Sequence, residues 1–269
     1  MAIITISRGS FSGGKRLADC LADRLGYRVI DRDIIVERAA AYGASQEDLR
    51  NALEKPPSFL DRLRHTKYVY LTLIQAALTE EVRGGKAVYH GHAGHLLLRG
   101  VSHVIRARII APLEYRMAML QDALKMSPGE AIAYIAKIDQ DRTKWTQYLY
   151  GENWGEPSLY DIVLNLESMD IQEACEILAG MASLRCFEET PVSTAAINDL
   201  AVASKVRASL VGNPATVDLE LDVSAHGDII SVAGTVRNQA QLAAVKAIAD
   251  GVGEGRRLSI EELVQKPDM

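Results

Sequence analysis

The stretch AIITISRGSFSGGKRLADCLADRLGYRVID, residues 2–31, decides the fold. It opens on a short apolar, β-branched run at 2–6, the pattern of a strand buried on both faces of a parallel sheet. A loop of glycine and serine follows. Leu17, Leu21 and Leu25 then recur at helical spacing, and Gly26 stands where a helix commonly closes in a left-handed residue. Residues 27–30 read as the next strand, ending at Asp31. Strand, loop, helix and strand make one βαβ unit, whose crossover is right-handed by the usual chirality.

Within this unit, Gly9-Ser10-Phe11-Ser12-Gly13-Gly14-Lys15 fits G-x-x-x-x-G-K between a strand and a helix. Its glycines let backbone N–H groups turn inward around phosphate oxygens, and the helix start adds its positive dipole end. Lys15 supplies a point charge for the terminal phosphates. Gly9, Ser10, Phe11, Ser12, Gly13, Gly14, Lys15 and Arg16 are therefore the candidate nucleotide-binding residues. Arg16 stands where the standard motif has a Ser or Thr that binds Mg²⁺. Either the metal is held through water and another side chain, Ser12 being the candidate, or catalysis is weakened. An ordinary glycine-rich turn is the plainer alternative.

Farther along, Pro56 and Pro57 interrupt a helical region, a long helix is expected over 59–83, and Gly84-Gly85 ends it. Strands are expected at 87–89, 104–110 and 160–164. Helices are expected from Pro112, from the Ser127-Pro128-Gly129-Glu130 start signal, and over 171–184. This alternation predicts an α/β fold, a mostly parallel sheet of the P-loop NTPase type flanked by helices. The polar stretch 188–194, with Pro191, reads as a linker, dividing a domain at 1–187 from one at 195–269. The second domain reads as helix (195–210), two strands around a His226-Gly227 turn, helix and a short last strand. Residues 217–223 alternate without a break, as a strand wet on one face does.

The net charge of −5 and pI near 5.7 argue against broad binding to nucleic acid or anionic lipid. Cys20, Cys175 and Cys186 are sparse and unpaired in spacing, which suits buried thiols in a reducing compartment. The first residues carry no leader pattern, and no apolar run approaches the roughly 20 residues of a membrane span. A soluble, cytoplasmic protein is expected.

Several pieces of the chain together resemble the cytidylate-kinase-like family: ITISRGSFSGGK, LADRLGYRVIDRDII, APLEYR (111–116), IAKIDQDR (135–142) and NWGEPSLYDIVLN (153–165). The last two are fairly specific to it. The resemblance spans residues 3 to about 178 and implies phosphoryl transfer from ATP, with Mg²⁺, to a small acceptor under a mobile, arginine-bearing lid. Such transfer needs positioning and charge neutralisation more than covalent chemistry. It implies that Lys15 grips the donor phosphates and that Arg142, with Lys137, stabilises the transferred group. Asp139, three residues before Arg142, would orient it as a helical pair, unless this is merely a solvated helix face. Arg8, just past the first strand, lies at the sheet edge where ligands bind in open α/β folds, with a surface ion pair as the alternative. Asp31 matches the acceptor-side carboxylate and would orient or deprotonate the acceptor, or else cap the helix starting near Asp33.

The match departs at Gly91-His92-Ala93-Gly94-His95, where His92 occupies the place of an acceptor-contacting arginine. A neutral histidine cannot make arginine's two-pronged phosphate contact, so CMP is doubtful as acceptor. His92 and His95 are the acceptor candidates; a metal reading of His90, His92 and His95 lacks a completing ligand.

Residues 195–260, with VDLELDVSAHGDIISVAGTVRN and Gly234-Thr235-Val236 at a turn into the second helix, resemble a BON domain. The resemblance to that α+β module (α-β-β-α-β) implies phospholipid or ligand binding; the acidic balance of these residues favours a regulatory, ligand-sensing or homo-oligomerisation role, with a structural appendage as the plainer alternative. The leading expectation is an ATP-dependent kinase for a nucleotide or other small acceptor. The alternative is a nucleotide-binding regulatory protein with weak or lost catalysis, favoured by Arg16 and His92.

Overall fold

The computed structural model describes residues 1–54, 64–91 and 93–265; Pro56, Pro57 and His92 lie outside them. The chain forms two compact units, Met1–Arg32 with Gly84–Thr190, and Asp33–Arg83 with the chain from Pro191 on.

In the first unit, β1 (Ile3–Arg8), β2 (Arg28–Ile30), β3 (Ala87–Tyr89), β4 (Val104–Ile110) and β5 (Ile162–Asn165) form one sheet in the order β2-β3-β1-β4-β5. Every described pairing in it is parallel. Alternation along β1 gives the sheet two different faces. Ile4 and Ile6 join Val88, Ile105 and Ala107 beneath α1 (Gly14–Leu25) and the helix Ile171–Met181, in a core with Leu17 and Leu21 of α1 and Leu178. On the opposite face, Ser7 meets the Tyr160 hydroxyl at 3.1 Å.

The rest of this unit comprises the short helix Gly94–Leu97, the helix Leu113–Leu124 and the helix Pro128–Tyr150. The Pro128 helix starts where the sequence signals it. Ser127 accepts from the Glu130 N–H while Glu130 reaches back to the Ser127 N–H at 2.9 Å, a reciprocal cap with proline in the first turn.

Cys20 and Cys175 are joined in a disulfide, their Cα atoms 6.3 Å apart, and Cys186 is free and exposed. This corrects the expectation of three thiols. Residues 155 apart in sequence meet because α1 and the helix Ile171–Met181 pack side by side, which spacing could not show.

The second unit begins with α2 (Arg32–Ala40), α3 (Gln46–Glu54) and α4 (Arg64–Val82). With α5 (Gly94–Leu97), α6 (Leu113–Leu124), α7 (Pro128–Tyr150) and α8 (Ile171–Met181) belonging to the first unit, the second continues through α9 (Pro191–Val211) and α10 (Gln239–Val252). Its strands are β6 (Asp222–His226), β7 (Ile229–Val236), β8 (Arg257–Ser259) and β9 (Leu263–Gln265).

The units do not follow the expected boundary. Segment 33–83 clusters with the C-terminal part, and α9 begins inside the expected linker, Pro191 being suited to a first helical turn. Helices α4 and α9 pack together, and Arg83 holds Glu254 in a two-pronged bridge at 2.8 Å on each arm while its Nε donates to Asn198.

The strand expected over 217–223 forms its ladder only from Asp222. Leu219, Leu221 and Val223 are nonetheless all buried, so the alternation reported burial and not pairing. Gly234-Thr235-Val236 is not a turn: it continues β7, which changes partner there to β9. Helix α10 starts later, capped by Asn238, which accepts from the Gln241 N–H at 2.9 Å.

Gly234 has φ +133°, and a Cβ there would lie 2.9 Å from a Leu221 methyl and 3.2 Å from the Glu220 carbonyl. Gly234→Ala is expected to destabilise this unit by about 2 kcal/mol. The loss reads out as faster hydrogen exchange of the β6 and β7 amides, with those of β1 and β4 unchanged.

Candidate functional site

The glycine loop joins the end of β1 to α1, and its backbone is folded for convergence. Phe11 and Gly13 both take left-handed φ, 59° and 79°. Alternation of this sort aims successive N–H groups toward one concavity. The Phe11 side chain anchors the loop in a small apolar cluster with Leu120 of α6 and Ile135 of α7, its ring 6.0 Å from that of Tyr134.

Three side chains from distant elements clamp this backbone. From α6, Arg116 donates through Nε to the Ser10 carbonyl at 2.7 Å and through Nη2 to Ser10 Oγ and Asp139 Oδ2, each at 2.6 Å. From α7, Asp139 accepts from Ser10 Oγ at 2.9 Å. One turn on, Arg142 donates to the Arg8 carbonyl at 2.9 Å.

Arg8 folds back over the first turn of α1, so close that a Cβ on Gly14 would overlap its side chain. Burial, aggravated by the charge of Arg32, pushes the Arg8 guanidinium below its ordinary range. Arg142 is pushed down to about 10 by burial first and then by Arg8, with Asp139 opposing. It stays charged at neutral pH, but at a cost. Lys15, exposed on the first turn of α1, completes the cationic set.

The remaining expected site residues are placed as follows. Asp31 stands between β2 and α2. Asp139 pairs with Arg116, not with Arg142 as helical spacing predicts, because α6 brings Arg116 across the loop. Lys137 and Arg16 are exposed.

His95 is buried in α5 on the far face of the sheet, its ring 4.6 Å from Tyr160. Burial and then Arg99, Arg106 and Arg108 hold it down to about 3. On the same face the Arg108 guanidinium lies 4.5 Å over the Trp154 ring and donates to the Trp154 carbonyl.

Ser12 does not fit a metal ligand. Its side chain is fully buried, and its hydroxyl donates to the Gly9 carbonyl at 2.9 Å, closing the loop. Among the described residues no three His, Cys, Asp or Glu side chains gather around one point. A polyphosphate fits better: converging amides and several desolvated guanidinium groups face one another with few carboxylates between them.

A family model described as the cytidylate kinase-like family matches residues 3–168. The chain belongs to the cytidylate kinase-like family. The match takes in the loop, Arg116, Asp139 and Arg142 of this cytidylate kinase-like chain. Among solved structures, an uncharacterized protein from Eubacterium ventriosum is 17% identical, with a TM-score of 0.54 over 67% of this chain and 97% of that one. That likeness concerns the fold.

A shikimate kinase from Bacteroides thetaiotaomicron is 14% identical over 68% and 99% of the two chains, with a TM-score of 0.43. A gluconokinase from Sinorhizobium meliloti is 12% identical over 68% and 91%, with a TM-score of 0.40. No curated protein matches the sequence. No described helix is long and apolar enough to cross a membrane.

Sequence reasoning assigned no role to Arg116, Arg32 or Arg108. Arg116 closes the quoted APLEYR segment, so the family motif marked its neighbourhood, but no local spacing links it to Ser10.

Proposed function

We propose that the protein transfers the γ-phosphoryl group of ATP to a small acceptor. The observation carrying this reading is the gathering of Arg8, Arg116, Arg142 and Lys15 around a left-handed glycine loop, where Asp139 bridges Ser10 and Arg116. Buried like charges raise one another's energy, and a polyanion between them removes that cost. Lys15 and the loop amides hold the donor phosphates. Arg142 neutralises charge on the group in transit, and Arg116 with Asp139 sets the loop's shape. Asp31, at the carboxyl edge of β2, is the acceptor-side carboxylate.

ATP enters as its Mg²⁺ complex. The loop presents no hydroxyl to that metal, so the protein's own neutralisation falls to its guanidinium and ammonium groups. The order α9-β6-β7-α10-β8 supports a BON-like accessory module, extended here by β9, that senses a ligand.

Calorimetry with Mg²⁺-ATP tests the donor site. Wild-type protein is expected to bind, and Lys15→Ala to bind about tenfold more weakly or worse, the loss of one charge-assisted contact. Heat of binding absent at millimolar ATP sinks the proposal. One second reading is favoured by Arg16 and the inward-turned Ser12: a nucleotide-binding regulator with weak catalysis. ATP binding without transfer to any acceptor selects it.

A further inference from the structure

His90 directly follows β3, and its backbone N–H donates to the Ile30 carbonyl at 3.1 Å, continuing the ladder with β2. The residue is 8% exposed, and among the described residues neither ring nitrogen has a hydrogen-bond partner. A buried imidazole left so costs about 1–3 kcal/mol per unpaired group.

His90 stands at the carboxyl edge of the sheet next to the phosphate loop, because β3 lies between β1, which runs into that loop, and β2, which ends before Asp31. Arg8 from β1 and Lys15 from α1 act on it, as do Asp19 of α1 and Asp31 after β2. Burial first, then Arg8, holds it below the ordinary histidine range, so it is neutral at physiological pH.

A neutral imidazole has one N–H donor and one bare acceptor nitrogen. A fully ionised phosphate has acceptors only; it satisfies the donor and leaves the other nitrogen unpaired. A hydroxyl donates to the bare nitrogen. Resting on the phosphoryl-transfer reading above, we propose that the acceptor is an alcohol and that His90 binds its hydroxyl and takes its proton.

The step balances as follows. The hydroxyl oxygen bonds to the γ-phosphorus of ATP, and the bond from that phosphorus to the bridging oxygen breaks, its electron pair leaving with ADP. The hydroxyl proton passes to the bare nitrogen of His90 and then to solvent. The cations Arg8 and Lys15 make the imidazolium short-lived, which returns the base for the next turnover.

The test offers the full-length protein, with Mg²⁺ and γ-labelled ATP, two acceptor sets: small polyols, sugars, hydroxy acids and nucleosides; and nucleoside monophosphates. Label is expected in an acid-stable phosphate ester of an alcohol. His90→Gln, which takes no proton near neutrality, is expected to lower kcat about a hundredfold and to flatten the acid side of its pH profile. ATP affinity by calorimetry should hold. His90→Asn, with melting compared in both variants, separates this loss from misfolding.

A readout without turnover uses protein labelled with ¹⁵N-histidine. The accepting alcohol shifts the His90 ring nitrogens, assigned by their loss in His90→Gln, more than ATP alone does. Label in nucleoside diphosphates, full turnover by His90→Gln, or ATP binding with no alcohol labelled overturns the inference while leaving the donor site intact. Absence of ATP binding overturns the phosphoryl-transfer reading itself.

Discussion

Replacing Arg142 by lysine is expected to lower phosphoryl transfer by about a thousandfold, the scale of a lost transition-state arginine, while ATP affinity changes far less. Arg142 is anchored by its bond to the Arg8 carbonyl and pressed by Arg8, Arg116 and Arg32. A planar fork can keep that anchor on one arm and reach a phosphoryl oxygen with another; an ammonium group cannot do both with the same geometry. Charge is lost as well. Burial and neighbours bring this arginine down to about 10, and the same environment acting on a lysine's lower starting value carries it toward neutrality. Steady-state transfer of labelled phosphate measures the loss. A decrease under about threefold would show that Arg142 holds the loop but does not touch the transferred group.

Acid is expected to unfold the protein through His95 more than through its surface carboxylates. The folded state holds this buried ring neutral down to about 3, whereas the unfolded chain takes up a proton near 6.5. Below that ordinary value the unfolded state binds more protons, so stability falls as pH falls, by about 2 to 3 kcal/mol between pH 6.5 and 4.5. The decline ends once the folded pKa is passed.

His95→Phe keeps an aromatic ring beside Tyr160 and removes the titration. Urea midpoints of the two proteins from pH 7 to 4.5 should therefore diverge, the variant falling less because, among the described histidines, only His90 and His103 remain held low in it. Parallel curves would mean that the ring gains a partner and a proton without unfolding.

What the sequence made legible was local. The apolar run, the glycine loop and the leucine spacing of residues 2–31 are interactions between near neighbours, and β1, α1 and β2 follow them closely. The reciprocal cap at Ser127 and Glu130 is legible for the same reason.

What sequence could not show is set by packing between distant segments. Arg116 reaches Ser10 across 106 positions and Asp139 across 129, and both meet the loop only because α6 and α7 fold over it. Asp139 illustrates the error this invites: three-residue spacing favours Arg142, yet a better-aimed guanidinium arrives from another helix. His90 was legible as a residue type but not as a need. Its unpaired nitrogens become visible only once β3 and α1 enclose them.

The sulfur bridge between α1 and α8 decides which parts of the phosphate site are free to travel. The helix that carries Lys15 is riveted at its second turn to the neighbour beside it on the same face of the sheet, so it is the anvil on which a nucleotide is seated. The opposite jaw, α6 and α7, holds the loop by hydrogen bonds and the Phe11 cluster, with no such covalent tie. Reduction of the bridge would loosen the anvil and leave the jaw untouched.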